Sequence, residues 1–125
     1  MSAPTPERRA ILYVEDIVKY STYAITFLGG RSDEELQNDL QAQFAIVRAL
    51  EVVGEATRSV PDEIRRLAPH VPWRDIVAMR NRIVHHYFGV RLGIVLNVVR
   101  QDLPPLIQTM TDLLALLETA EHREG

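Results

Sequence analysis

The stretch VPWRDIVAMRNRIVHHYFGV, residues 71 to 90, decides the reading of this chain. After Pro72 its apolar residues fall at Trp73, Ile76, Val77, Ile83, Val84 and Tyr87, and Gly89 closes the run. That is the i, i+3, i+4, i+7 spacing of one face of an α-helix, with glycine as its stop. One position breaks the stripe: between Val77 and Ile83 helical spacing asks for a hydrophobe, and the chain supplies Arg80. A guanidinium cannot shed its proton, so at such a place it is paired, partly hydrated or ready for an anion.

The same period continues in both directions. A helix from about Glu7 to Leu28 carries Ile11, Val14, Val18, Ile25 and Leu28 on one stripe and stops at Gly29-Gly30. Ser32 and Glu35 have capping-box spacing and open the next segment, which breaks near Asn38-Asp39. A long helix follows from about Leu40 to Val60; Pro61 halts it and suits the first turn of a short helix, PDEIRRLA. PHVP is a rigid connector. The last segment is helical on both sides of Pro104-Pro105, which must kink the helix or divide it, with Asp102 available as a cap. No strand alternation, repeat or low-complexity tract appears. The expected fold is all-α: one domain over residues 1–125, an antiparallel up-and-down bundle of four to six helices with the last kinked at Pro104-Pro105.

At 125 residues and 46% apolar composition the chain can bury a core without staples. No segment is apolar for long enough to span a bilayer, so no membrane is expected as a partner. The start, MSAPTPERRA, has no apolar run after a basic region, and no secretory signal is expected. The absence of cysteine excludes disulfides and thiol nucleophiles and suits a cytoplasmic location. The net charge is −3, but it is unevenly spread. Between Arg58 and Arg100 eight arginines face three acids, a surplus of five positive charges, while the remainder carries a surplus of eight negative ones. A local basic face on an acidic protein can hold an anion; a solvated patch without a partner is the plainer reading.

The partners of Arg80 are expected on the long helix, where Leu40, Phe44, Val47, Glu51 and Gly54 trace a second stripe with its own misplaced charge. Glu51 and Glu55 lie one turn apart, and a buried Arg80–Glu51 pair would be the purely structural outcome. Asn81 and His85 share a face, where Asn can orient the imidazole. Arg80 and His85 are about 140° apart around the axis and do not converge on one atom unless the arginine curls around. Alternatively, two copies of the helix meet across a homodimer axis, the solution favoured here. Adjacent His85 and His86 point apart and His70 is distant, so no metal site and no cofactor are expected. Histidine and arginine without a carboxylate cluster suit phosphodiester chemistry. A neutral imidazole takes the proton of a ribose 2′-hydroxyl, and a guanidinium steadies charge on the phosphoryl oxygens.

Arg80-Asn81, three residues, then His85-x-Tyr87 resembles the R-x4-H-x-Y signature of HepT-like proteins, small helical ribonucleases of the HEPN superfamily that are usually toxins in toxin–antitoxin pairs. ILYVEDI, VRALEVVGEA and DLPPL resemble further blocks of that family in the same order, so the likeness runs from about residue 9 to 117. The resemblance implies a homodimeric, metal-independent endoribonuclease toxin acting on RNA. Arg80 and His85 would be its catalytic pair, Asn81 would assist, and Glu51, Glu55 and His86 would support them. It further implies neutralisation by a nucleotidyltransferase antitoxin of a type VII-like system, in some pairs through AMP transfer to the motif tyrosine, here Tyr87. His86 and Arg91 depart from the commoner pattern of that family. A non-catalytic module of the same fold, binding a nucleotide or a partner, is the alternative, and a structural helical dimer is the third reading.

Overall fold

The computed structural model describes residues 5–85 and 92–124, without the side chains of residues 84, 85, 123 and 124. The helices are α1 (Pro6–Leu28), α2 (Asp33–Gln37), α3 (Leu40–Ser59), α4 (Asp62–Arg65), α5 (Trp73–His85), α6 (Leu92–Asn97) and α7 (Leu103–Glu124), and no strand occurs among the described residues. The chain is all-α, as the periodicity requires.

Local signals set the helix ends. Thr5 accepts a hydrogen bond from the Arg8 amide and Pro6 fills the first turn of α1. Ser32 and Glu35 form the full reciprocal capping box of α2, and Asp39 caps α3 through the Ala42 amide. Gly29, at φ 58°, ends α1 in a conformation that L side chains rarely adopt.

The buried face of α1, Ala10, Ile11, Val14, Ile17, Ser21, Ala24 and Leu28, lies between α3 on one side and α7 on the other, and α5 packs on α3. The fully enclosed centre includes Ile17, Ile46, Leu50, Val53, Leu103, Met110 and Leu117. Ion pairs close the ends: Arg8 reaches Glu121 of α7 at 2.6 Å, and Arg100 reaches Asp33 of α2 at 2.7 Å.

Two elements differ from expectation. At Pro104-Pro105 the last helix is not divided, and Asp102 lies inside a helical turn instead of capping a new helix. Residues Val98–Asp102 form a π-helical turn, and the Leu103 amide donates to the Val98 carbonyl. A proline ring collides with the carbonyl four residues back. For Pro104 and Pro105 those carbonyls belong to Arg100 and Gln101, inside the widened turn, so the helix continues through the pair.

The second difference concerns α3. Of the expected stripe it buries Val47 and Gly54 but not Leu40 or Phe44. Its inner face is Ala42, Ile46, Ala49, Leu50, Val53, Ala56 and Thr57, while Leu40 and Phe44 are 62% and 49% exposed. No helix among the described residues is long and apolar enough to cross a membrane.

Candidate active site

Arg80 does not lie on the centre line of α5. The residues that enter the core are Trp73, Ile76, Met79 and Ile83, so Met79 completes the stripe and Arg80 flanks it, half-buried beside Val77. That flank meets α3 at Gly54. A Cβ added at Gly54 would stand 2.1 Å from Arg80 Cβ and 2.5 Å from its Cγ, so only hydrogen fits between the helices. Glycine inside a helix costs about 1 kcal/mol relative to alanine, and here it permits close approach of two backbones. The arginine stem therefore rests on the α3 backbone and its head emerges at the rim.

The head is loosely held. Arg80 Nη2 donates to Glu55 Oε1 at 3.4 Å and Nη1 donates to Asn81 Oδ1 at 3.3 Å, while Nε is buried with no hydrogen-bond partner among the described residues. The side chain keeps 27% of its exposure. Glu55 is shared, since Arg48 lies 3.8 Å from the same oxygen. Glu51 is engaged by Arg48 at 3.2 Å and is not the partner of Arg80. The buried Arg80–Glu51 pair is thus replaced by a partly hydrated contact with Glu55, because the phase of α3 turns Glu55 toward α5.

Around this head lies a cleft of about 380 Å³, walled by Glu55, Arg58 and Ser59 of α3 and by Val77, Arg80 and Asn81 of α5, with Gly54 beneath. Of the residues singled out in the sequence, the structure gathers Arg80, Asn81 and Glu55 here and leaves Glu51 outside the lining. The backbone of His85 ends α5, and its side chain lies outside the described residues, as do His86, Tyr87, Gly89 and Arg91. Sequence reasoning passed over Arg58, although its place one turn beyond Gly54 on the same helix could have marked it.

A cavity of about 390 Å³ lies on the other face of α5, with Ile76, Met79, Leu103 and Leu106 as an apolar floor and Asp75, Arg82 and Asp102 at its edge. It contains neither Arg80 nor Asn81, so the α3–α5 cleft is the site that anion chemistry favours. Among the described residues no group of three or more His, Asp or Glu side chains converges to hold a metal ion.

The surrounding arginines divide into two kinds. Arg65 is structural. Its Nη2 donates to the carbonyls of Thr57 and Arg58 at 2.9 and 3.2 Å and its Nε to Val60 at 3.1 Å, covering the last turn of α3. It also lies over the Trp73 ring at 5.8 Å, and Trp73 is buried with its indole N–H on the Ala68 carbonyl. Trp73 is therefore core and not a platform for a base. Arg58, Arg66 and Arg74 are exposed and make no ion pair or hydrogen bond through their side chains among the described residues.

A protein-family model described as Ribonuclease HepT-like matches residues 11–113. A protein of Thermococcus cleftensis named "Probable ribonuclease HepT" is 37% identical over 94 residues, covering 75% of this chain and 86% of that protein. A protein of Methanocaldococcus jannaschii named "Putative RNase MJ1216" is 34% identical over 101 residues, covering 81% and 84%. A second from that organism, "Putative RNase MJ0125", is 31% identical over 113 residues, covering 90% and 97%. No solved structure matches the chain.

Proposed function

This chain belongs to the Ribonuclease HepT-like family, and from that premise we propose that it is a metal-independent endoribonuclease toxin of the cytoplasm, with Arg80 and His85 as its reacting groups. The observation that carries the proposal is the state of Arg80. Its guanidinium is set at the rim of a cleft, held by one shared carboxylate at 3.4 Å, and keeps a buried Nε–H without an acceptor among the described residues. A buried donor left unmade costs about 1–3 kcal/mol, and a phosphate oxygen seated in the cleft would supply the missing acceptor. In the reaction the His85 imidazole takes the proton of the ribose 2′-hydroxyl as that oxygen attacks the adjacent phosphorus. The P–O5′ bond then breaks, giving a 2′,3′-cyclic phosphate and a 5′-oxygen that takes a proton from water to leave as the hydroxyl, while Arg80 stabilises charge on the phosphoryl oxygens. Asn81, already bonded to Arg80 Nη1, steadies its neighbour.

The active unit in this proposal is a homodimer. On α3 the exposed Leu40 and Phe44 lie in line with Glu51 and Glu55, so an apolar strip leads to the rim of the Arg80 cleft. A second copy covering that strip would bring its own α5 toward the same cleft. Complementation tests the shared site. Arg80→Ala and His85→Ala, each inactive alone, should regain about a quarter of wild-type cleavage when mixed and refolded, since half the dimers then carry one intact Arg–His pair. A mixture as inactive as its components would confine the pair to one chain. Cleavage should also survive EDTA; loss of activity on chelation, restored by added metal, would overturn the metal-independent mechanism.

In this proposal a nucleotidyltransferase antitoxin silences the protein, in the finer form by moving AMP from ATP to Tyr87 with loss of pyrophosphate. The added phosphodiester would compete with RNA for the Arg80 guanidinium. Intact-mass measurement after incubation with ATP and such a partner should show one AMP or more, absent in Tyr87→Phe. Modification that persists in Tyr87→Phe would place it elsewhere. The alternative, a binding module without catalysis, predicts that RNA is bound and never cut.

A further inference from the structure

Arg58, Arg66 and Arg74, like Arg9 and Arg82 elsewhere on the surface, have no partner among the described residues, and they are the ones that line the two grooves beside Arg80. Arg8, Arg31, Arg48, Arg80 and Arg100 have carboxylates, and Arg65 holds carbonyls. Gly54 of α3 lies against Arg80 of α5, and the end of α3 lies near the start of α5, where Arg65 bonds the Thr57 and Arg58 carbonyls and covers the Trp73 ring. Next to the Arg80 cleft, with Arg58 on its wall, lies a second groove formed by α4, the connector and the start of α5, and the Arg65 hydrogen bond to the Arg58 carbonyl at 3.2 Å joins the two. The lining of the second groove includes Arg65, Arg66, Trp73 and Arg74. Arg80 and Arg74 are separated by about 9 Å of helix rise and about a third of a turn around α5, so a strand that meets both curves around the start of that helix.

We infer that this groove is a track for single-stranded RNA, with Arg58, Arg66 and Arg74 holding the phosphates on one side of the bond that Arg80 meets. The inference rests on the ribonuclease reading of the cleft and adds which way the strand leaves it. The strand is held by its backbone. The groove's one aromatic ring, Trp73, is buried, covered by Arg65 and has its N–H already spent, so no base stacks there. Asp62 and Asp75 also line the groove. They stand in the first turns of α4 and α5, where free amides partly offset their charge. The outcome is binding without sequence preference along the track, and single-stranded DNA of equal length should compete for it even though it lacks the 2′-hydroxyl needed for cleavage.

The test is anisotropy of a labelled oligouridine of about twelve nucleotides over a salt series, with the His85→Ala protein and with the same protein carrying Arg58→Gln, Arg66→Gln and Arg74→Gln. Each phosphate left without its arginine should reduce the slope of log K against log salt by about 0.7, so the triple variant should lose about two units of slope and bind about tenfold or more weakly at low salt. Arg8→Gln is the control for an arginine that lines neither groove: it loses its Glu121 pair and should leave the slope unchanged. If the triple variant fails to fold, the single variants read the same effect one arginine at a time. An unchanged slope in the triple variant, or single-stranded DNA that does not compete, would overturn the track. Failure of the ribonuclease reading looks different, because RNA would then be bound with the full slope and cut by neither wild type nor variants.

Discussion

Arg80→Ala should lower kcat/KM for RNA cleavage by about 10²- to 10³-fold while the bundle stays folded. The fold survives because alanine keeps the Cβ that sits on Gly54, and the atoms removed are the stem's outer carbons and a head at the rim. The ion pair that disappears is a single 3.4 Å approach to a carboxylate that is itself exposed, worth less than about 1 kcal/mol after screening by water. Removing the unpartnered Nε–H even takes away a standing cost. Arg80→Lys should restore the charge but only a fraction of the activity, since an ammonium on a flexible stem cannot offer the planar fork. Thermal melts by circular dichroism and single-turnover cleavage measure the two halves separately. Collapse of the Arg80→Ala melt, together with full activity in His85→Ala, would make Arg80 a structural cation and remove the proposed site.

Gly54→Ala should have the opposite profile, a loss of stability with activity falling as a consequence. The new methyl would lie 2.1 Å from Arg80 Cβ, an atom tied to the α5 backbone that cannot swing aside as a side-chain tip would. Helices α3 and α5 must part, at a cost of about 1–3 kcal/mol or more, against a gain of about 1 kcal/mol from alanine's better helix propensity. A net loss of about 1–2 kcal/mol lowers Tm by several degrees in a domain of this size. Well below the melt, cleavage should still be impaired, because the stem of Arg80 no longer rests where it did. A Tm at or above wild type would show that the crossing is looser than drawn and that Gly54 does not position Arg80.

The two variants separate chemistry from placement at one crossing, and the comparison with Glu51 sharpens it. Glu51 is bound to Arg48 and lies outside the cleft, whereas Glu55 lines it and touches Arg80. Treating the two carboxylates as equivalent from sequence was natural, since one helical turn separates them. Distinguishing them took the rotation of α3 about its own axis. That rotation follows from burying Ile46, Leu50 and Val53, which leaves Leu40 and Phe44 outward despite their greasy spacing.

Much of the rest was legible before any packing was known. The ends of α1, α2 and α3 lie within a residue or so of the expected helix from Glu7 to Leu28, the Ser32–Glu35 box, the break at Asn38-Asp39 and the helix from Leu40 to Val60, and Pro61 and Pro72 delimit the short middle segment. Arg80 stood out because helical spacing made it anomalous. The basic excess between Arg58 and Arg100 was visible too, but only the tertiary structure sorts it into Arg65 and Arg100, which hold the fold, and Arg58, Arg66, Arg74 and Arg82, which hold nothing among the described residues. The π-helical turn before Pro104 could not be read from spacing, because where the ladder widens depends on what α7 must pack against.

The division has a physical cause. Helix existence, caps and stops depend on residues within about four positions of one another, so the amino-acid order alone determined them. Which carboxylate meets Arg80, how near α3 comes at Gly54, and which arginines stay unclaimed depend on how whole helices rotate and slide against their neighbours. Those variables are set by burying many side chains at once, and only the tertiary structure decided them.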